Sequence, residues 1–399
     1  MDYLFIINSD SGERVFSMVD AILFLLFAIA VLYLFIFAVN SLRKSKNTYP
    51  VTKKKYKYAV LFPAYKEDKV IVNSVQSFLE QEYPRDKYDI FVIAEDMKNE
   101  TNKQLETLSA IVIPIQKKYS SKTNALLEAI NYIESHEPQY DNVVILDADN
   151  VVESNYLEQL NNAFYSGCSA IQTHRVAKNL ETNTAILDAV SEEINNSIFR
   201  KGHTQLGFSS ALIGSGMAFE YELFKDCMQH AKHVGIDKQL EILLLKQNIY
   251  IEYLNTVYTY DEKVKNNSQF YNQRRRWLST QFSNLFSGLF SFPSAIFKGN
   301  WDYCDKLFQW MMPPRVILFG SIIIIACILT VTNWIMAVKW WGLFALLCIT
   351  FALAIPDYLI NRKLAKAILN IPVLFILMFF NFFRLRGANK QFIHTEHGN

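Results

Sequence analysis

Val143-Val144-Ile145-Leu146-Asp147-Ala148-Asp149 is the stretch on which the fold turns. Its four apolar residues are the signature of a short buried strand, and two carboxylates follow one residue apart, just past its end. On the N-terminal side the same alternation recurs: a strand over Tyr58–Phe62, an amphipathic stretch over Val70–Glu80, strands over Asp89–Ile93 and Ala110–Ile115, and a helix over Lys122–Glu134. That order predicts an α/β domain with a largely parallel sheet. Ligands of such sheets bind beyond the carboxyl ends of the strands. Pro63-Ala64-Tyr65-Lys66-Glu67 follows the first strand, Glu95-Asp96 the second and Asp147-Ala148-Asp149 the fourth. Acidic groups from three strands on one rim repel one another unless a cation or hydrogen-bond donors neutralise them, so a divalent metal is the expected partner.

The 399 residues carry 20% charged side chains, 30 Phe and 21 Tyr, a composition that points to a membrane protein. A net charge of +2 gives no basic surface for nucleic acid. Five cysteines without a C-x-x-C pair indicate neither a disulfide framework nor a zinc site. Residues 21–39 form an apolar run long enough to span a bilayer, preceded by an acidic segment, 1–20, and followed by a basic one, 40–57, which includes Arg43, Lys44, Lys46 and Lys53. The positive-inside rule then places the α/β domain, 58–280, in the cytoplasm. Two more spans are expected within 315–399, about Val316–Val338 and Trp341–Leu359, joined at Lys339. For a fourth apolar stretch, 367–383, length argues for crossing while Arg384, Arg386, Lys390 and the early Pro372 argue against it. Residues 281–314 mix apolar and polar positions, fitting either interfacial helices or helices packed beneath the domain.

By itself a D-x-D is more often a strand-end turn with an Asp cap, but it can hold Mg2+ or Mn2+ through one carboxylate. Ser121-Lys122-Thr123-Asn124 opens a helix and offers a cation and free amides to phosphate. Asp237 precedes an apolar helical run and is either an N-cap or a base. Arg274-Arg275-Arg276 beside Trp277 fits a juxtamembrane basic patch. His174 and His203 read as satisfied polar or core residues, and Glu192 and Glu193 as a solvated helix face.

In their order along the chain these motifs resemble the inverting glycosyltransferases of family 2, with the Rossmann-like GT-A fold. Pro63 to Glu67 resembles P-x-Y-N-E, Lys122 to Leu126 K-x-x-A-L, Asp147 to Asp149 the D-x-D, Gly214-Ser215-Gly216 the acceptor-side loop, and Gln273 to Trp277 the Q-x-x-R-W motif. Q-x-x-R-W followed by membrane helices is similar to the processive synthases of cellulose, chitin, hyaluronan and poly-N-acetylglucosamine. The resemblance implies Asp237 as catalytic base and Asp149 as ligand of Mg2+ or Mn2+. It implies that Pro63, Ala64, Tyr65, Glu67, Glu95 or Asp96, Lys122, Asp147, Gln273 and Arg276 bind a nucleotide sugar, and that Gly214, Ser215, Gly216 and Trp277 meet the acceptor. Ile236 stands where the family's E-D pair has its first acid.

The implied protein is an integral component of a bacterial inner membrane, in contact with membrane lipids, extending a polysaccharide from a UDP-sugar in the cytoplasm, with export through accessory proteins as an extension. Alternatives are a single-addition transferase to a lipid-linked acceptor and a catalytically silent nucleotide-sugar-binding partner of another synthase.

Overall fold

The computed structural model describes residues 2–44, 49–115, 121–136, 139–231, 235–264 and 267–384. Lys46, Arg386 and Lys390, which enter the charge argument, lie outside them.

Among the described residues eight strands form one mixed sheet: β1 (Tyr58–Tyr65), β2 (Tyr88–Glu95), β3 (Ile111–Ile115), β4 (Asn142–Ile145), β5 (Val151–Val152), β6 (Ala170–Ala177), β7 (Met217–Glu220) and β8 (Ile251–Asp261), in the order β3-β2-β1-β4-β7-β6-β8-β5. The expected parallel character holds for β3, β2, β1 and β4, whereas β7 runs antiparallel to both β4 and β6, and β5 antiparallel to β8. In the β1–β2 register Tyr65 lies opposite Glu95, so both parallel strands end on the same rim.

Side chains alternate across β1. Ala59 and Leu61 join the layer containing Leu126 of the helix Lys122–Ser135 and Leu240 of the helix Ile236–Lys246. Tyr58, Val60 and Phe62 join the opposite layer, with Val75 and Leu160. All five are buried, each large one contributing roughly 1.5–3 kcal/mol by the usual transfer scale, which locks the register because a one-residue slip would exchange the two faces.

Among the described residues three helical segments are long and apolar enough to cross a membrane, Gly12–Ser41, Arg315–Thr332 and Trp334–Ala354. A fourth results if Arg362–Ile368 and Ile371–Asn381, bent by 47° at their junction, are one span. The second and third helices break at Asn333, not at the expected Lys339, because the Asn333 side chain caps the third helix by accepting the Met336 N–H at 3.2 Å. Lys339 instead lies inside that helix and pairs with Asp20, whose other oxygen accepts from the Trp340 indole at 2.8 Å.

Between domain and apolar helices come Asn267–Leu289, Phe292–Phe297 and Trp301–Met311. Within 281–314, Leu285, Ala295, Leu307 and Trp310 join the core beneath the domain, while Phe286, Phe290, Phe297 and Trp301 are exposed.

Glu192 and Glu193 are not on a solvated face. Both are buried, Glu192 against Arg200 at 2.8 Å and Glu193 against His174 at 3.1 Å and the Tyr358 hydroxyl at 3.0 Å. Their helix, Asn183–Asn195, packs between the sheet and the Arg362–Ile368 segment, so a pattern that suits solvent is covered by tertiary contact. His203 is fully buried, stacked on Phe37 and bonded to the Ile198 carbonyl at 2.6 Å, as a satisfied core histidine would be.

Candidate active site

The rim is built at the ends of β1, β2 and β4. Lys66 follows β1 and Asp96 follows β2, both non-glycine residues in the left-handed region with φ of 57° and 55°. Such a conformation costs of order 1–3 kcal/mol and persists where surrounding contacts impose it. Here the Lys66 N–H bonds the Glu95 carbonyl at 3.1 Å and the two side chains, Lys66 and Asp96, pair at 3.1 Å. Of the two candidates after β2, Asp96 is therefore exposed and engaged by Lys66, while the half-buried Glu95 ends the strand beside Tyr65. Pro63 and Ala64 lie within the last turns of β1, Ala64 fully covered.

Glu67 follows at the start of the next segment. Burial, then Asp149, Asp147 and Glu262, push its carboxyl up to about 8, as acids gathered in one region do. Asp147 is paired with Lys122, the first residue of its helix, and the Lys122 Nζ also donates to the Gly214 carbonyl at 2.6 Å. The Asp147 N–H is held by Ser215 Oγ at 3.0 Å and by Asn150 Oδ1 at 2.9 Å. Asp149 is almost fully buried, accepting the Glu262 N–H at 2.7 Å and the Asn150 amide at 3.2 Å, while Lys178 donates to its backbone carbonyl.

The loop Gly214-Ser215-Gly216 leaves no alternative to glycine at 216. With φ of 62°, a β-carbon there would stand 2.5 Å from Thr173 Oγ1 and 2.7 Å from Thr259 Oγ1. Gln172 fastens the loop by donating to the Ser215 carbonyl at 2.9 Å and accepting the Ile213 N–H at 3.0 Å. A β-carbon on Gly214 would meet Asp237 Cβ at 3.9 Å, so the loop and the start of the Ile236–Lys246 helix are neighbours.

Asp237 lies in the first turn of that helix, behind Gly235 as N-cap. Burial raises its carboxyl above the ordinary value, Lys238 opposing and Glu241 adding to the shift. Ile236 is buried in the core, so the position of the missing acid is used for packing.

The three arginines before Trp277 point to three different places. Arg274 pairs with Asp188 and sits 4.3 Å over the Trp277 ring. Arg275 donates to the Arg384 carbonyl at 2.7 Å. Arg276 is the one within electrostatic reach of the rim: burial lowers its guanidinium, and Asp147 and Asp237 both act against that shift. Gln273 Oε1 is buried and accepts no hydrogen bond from the described residues.

The structure thus brings together Glu67, Lys122, Asp147, Asp149, Gly214, Ser215, Asp237 and Arg276, and leaves Asp96 at the outer edge. Sequence reasoning missed Asn150 and Lys178. Asn150 adjoins the D-x-D and was open to notice; Lys178 comes from beyond β6 and carried no local signal.

Among the described residues no three His, Cys, Asp or Glu side chains form a ready metal cage. The donor set still suits a hard cation such as Mg2+, which binds through one or two carboxylates and completes its shell with water and phosphate oxygens.

A mixed α/β sheet with an acidic rim, a glycine loop and a cation-bearing helix start converging at the ends of its parallel strands is the Rossmann-like GT-A fold of nucleotide-diphospho-sugar transferases. Residues 56–280 match the family described as Glycosyltransferase like family 2. The chain belongs to that family and is a glycosyltransferase. No curated protein sequence matches it. Among solved structures it is similar to the mannosyltransferase PcManGT from Pyrobaculum calidifontis in complex with GDP-Man and Mn2+, at 14% identity over 84% of this chain and 96% of the other, with a TM-score of 0.53. It is also similar to S. aureus TarS 1-349, at 12% identity over 84% and 90%, TM-score 0.42. A third likeness is glucosyl-3-phosphoglycerate synthase from Mycobacterium tuberculosis in complex with Mn2+, UDP and glucosyl-3-phosphoglycerate, at 14% identity over 57% and 80%, TM-score 0.40. At these identities the likeness is one of fold.

Proposed function

We propose that this glycosyltransferase uses a nucleotide sugar, a UDP-sugar by preference, to extend a glycan with inversion at the cytoplasmic face of a bacterial inner membrane. The observation that carries this reading is the placement of Arg276, which interacts with both Asp147 of the D-x-D and Asp237 of the helix behind the glycine loop. One guanidinium between these acids links the donor side to the acceptor side.

Asp237 takes the proton of the acceptor hydroxyl, whose oxygen forms the new bond to the anomeric carbon as the bond to the diphosphate breaks on the opposite side. Burial makes it a stronger base than a solvated carboxylate. Arg276 and Lys122 stabilise the charge that gathers on the leaving diphosphate. Pro63, Ala64, Tyr65, Glu67, Glu95 and Asp147 engage the nucleoside, with Asp96 in reserve at the edge, and Gln273 offers its unpaired oxygen toward the donor. Asp149 holds Mg2+ or Mn2+, which, when bound, neutralises the diphosphate. Trp277 with Gly214, Ser215 and Gly216 receives the acceptor, although one face of the indole is already covered by Arg274. The exposed apolar residues of 286–301 and the apolar helices fit contact with membrane lipids.

The test is a donor screen on detergent-purified full-length protein with UDP-glucose, UDP-N-acetylglucosamine and GDP-mannose, with and without Mn2+, scored by nucleotide release and product length. Long products from a UDP-sugar support the polymerase reading. One sugar per acceptor replaces it with single addition to a lipid-linked acceptor, and absence of turnover with every donor leaves a silent partner protein.

A further inference from the structure

The helix that carries Asp237 is tied to two other parts of the chain through one carboxylate. Glu241, one turn further along, is fully buried. Its Oε1 accepts the Leu212 N–H at 2.7 Å and lies 3.2 Å from Lys306 Nζ, while its Oε2 accepts from Lys238 at 3.0 Å. Lys238 also donates to the Leu212 carbonyl at 3.2 Å, so both backbone polar groups of Leu212 are engaged, two residues before Gly214. Lys306 is itself buried and donates to Gln309 at 3.1 Å. It belongs to the helix Trp301–Met311, where its neighbour Asp305 accepts from Tyr33 of the first apolar helix at 2.6 Å.

Ion pairs at this depth add little net stability compared with apolar residues of the same volume, because desolvation offsets their attraction, and their best attested use is to fix one arrangement over others. This cluster joins exactly the parts whose relative placement matters to the reaction: the glycine loop, the Asp237 helix and the helix against the membrane.

We propose that Glu241, held by Lys306 and Lys238, is a positioning residue for sugar transfer, fixing Asp237 against the Gly214 loop and setting its basicity from the juxtamembrane helix. The proposal rests on the reading of Asp237 as the base. The charged groups facing Asp237 are Lys238 and Glu241 on its own helix, Lys122 on the Lys122–Ser135 helix and Arg276 on the Asn267–Leu289 helix. Burial comes first in raising Asp237, with Lys238 opposing and Glu241 adding. Removing the Glu241 charge therefore weakens the base, and removing its Lys306 counter-ion strengthens it.

The experiment compares full-length wild-type, Asp237→Asn, Glu241→Gln, Lys306→Met and Lys306→Arg proteins in detergent, with the UDP-glucose, UDP-N-acetylglucosamine and GDP-mannose panel and Mn2+. Nucleotide release is followed from pH 5 to 9, on the order of two units either side of neutrality, alongside donor binding. Glu241→Gln should move the acidic limb of kcat/KM down and Lys306→Met should move it up, each by roughly half a pH unit, with donor affinity within about twofold of wild type. Lys306→Arg should restore the wild-type limb. A merely structural role lowers the rate without moving the limb, so limbs unmoved in both variants, or a Lys306→Arg protein that behaves like Lys306→Met, overturn the proposal. If Glu241→Gln does not fold, the two Lys306 variants decide. Transfer surviving in Asp237→Asn defeats the base reading and this proposal with it, whereas an inert Asp237→Asn with unmoved limbs defeats this proposal alone.

Discussion

Gly235 and Thr280 meet so closely that a β-carbon on the glycine would stand 1.9 Å from Thr280 Cγ2. The contact joins the start of the Asp237 helix to the helix carrying Gln273 to Trp277, three residues beyond the tryptophan. It also explains why position 235 is glycine twice over, since its φ is 71°. Gly235→Ala is expected to lower stability by about 2 kcal/mol or more, the combined effect of a left-handed alanine and overpacking. Thermal unfolding in detergent measures it, and an unchanged midpoint would show that the two helices slide apart at no cost.

Asp149 accepts the Glu262 N–H on one oxygen and the Asn150 amide on the other, so an amide of the same shape keeps one acceptor and sets its NH2 against the second donor. Asp149→Asn should fold with a modest loss of stability and lose the Mn2+-dependent part of UDP binding, a drop of roughly tenfold or more in affinity, because a neutral amide is a poor ligand for a hard cation. Calorimetry with UDP at varied Mn2+ reads the difference. Metal dependence equal to wild type would move the ligand elsewhere on the rim.

Glu192 is held at about 2: burial alone would raise it, but Arg200, Lys263 and Arg175 more than reverse that. A folded value below the unfolded one means stability that is present above the unfolded value of about 4.5 and is lost as pH falls toward 2. Glu192→Gln should therefore cost on the order of 3 kcal/mol near pH 7, with Arg200 left facing a neutral amide, and the gap to wild type should begin to narrow below about pH 4.5 and close only near about pH 2. Unfolding midpoints collected across that range provide the check; a gap independent of pH would mean that packing, not charge, accounts for the loss.

Trp277 is half-buried, with Arg274 over one face of its ring and Asp188 holding that arginine. Trp277→Ala should shorten the product and slow transfer up to about a hundredfold while donor affinity stays near wild type, since an acceptor displaced by about an ångström loses alignment with the base. Product length and donor binding are measured on the same preparation. Normal chains at a normal rate would leave Trp277 as an interface anchor only.

The sequence by itself determined the order of β1, β2, β3 and β4, the acids that follow them and the apolar helices, because each rests on local information: strand-length apolar runs, the residues just beyond them, and hydrophobic length. It also determined that Lys122, the D-x-D, the glycine loop, Asp237 and Q-x-x-R-W occur in one order. Tertiary structure alone decided which of these groups face one another. Nothing in Arg274-Arg275-Arg276 tells the three apart, since helical neighbours diverge by about 100° and only the surfaces packed around them assign one to Asp188, one to the Arg384 carbonyl and one to the neighbourhood of Asp147 and Asp237. Glu192, Glu193, Glu241 and Lys306 have polar side chains that suit solvent as well as an interior, and they are buried because the fold brings partners to them, Arg200, His174 and, for Glu241 and Lys306, one another. Apolar periodicity is written along the chain, whereas the pairing of charges is a property of the folded neighbourhood.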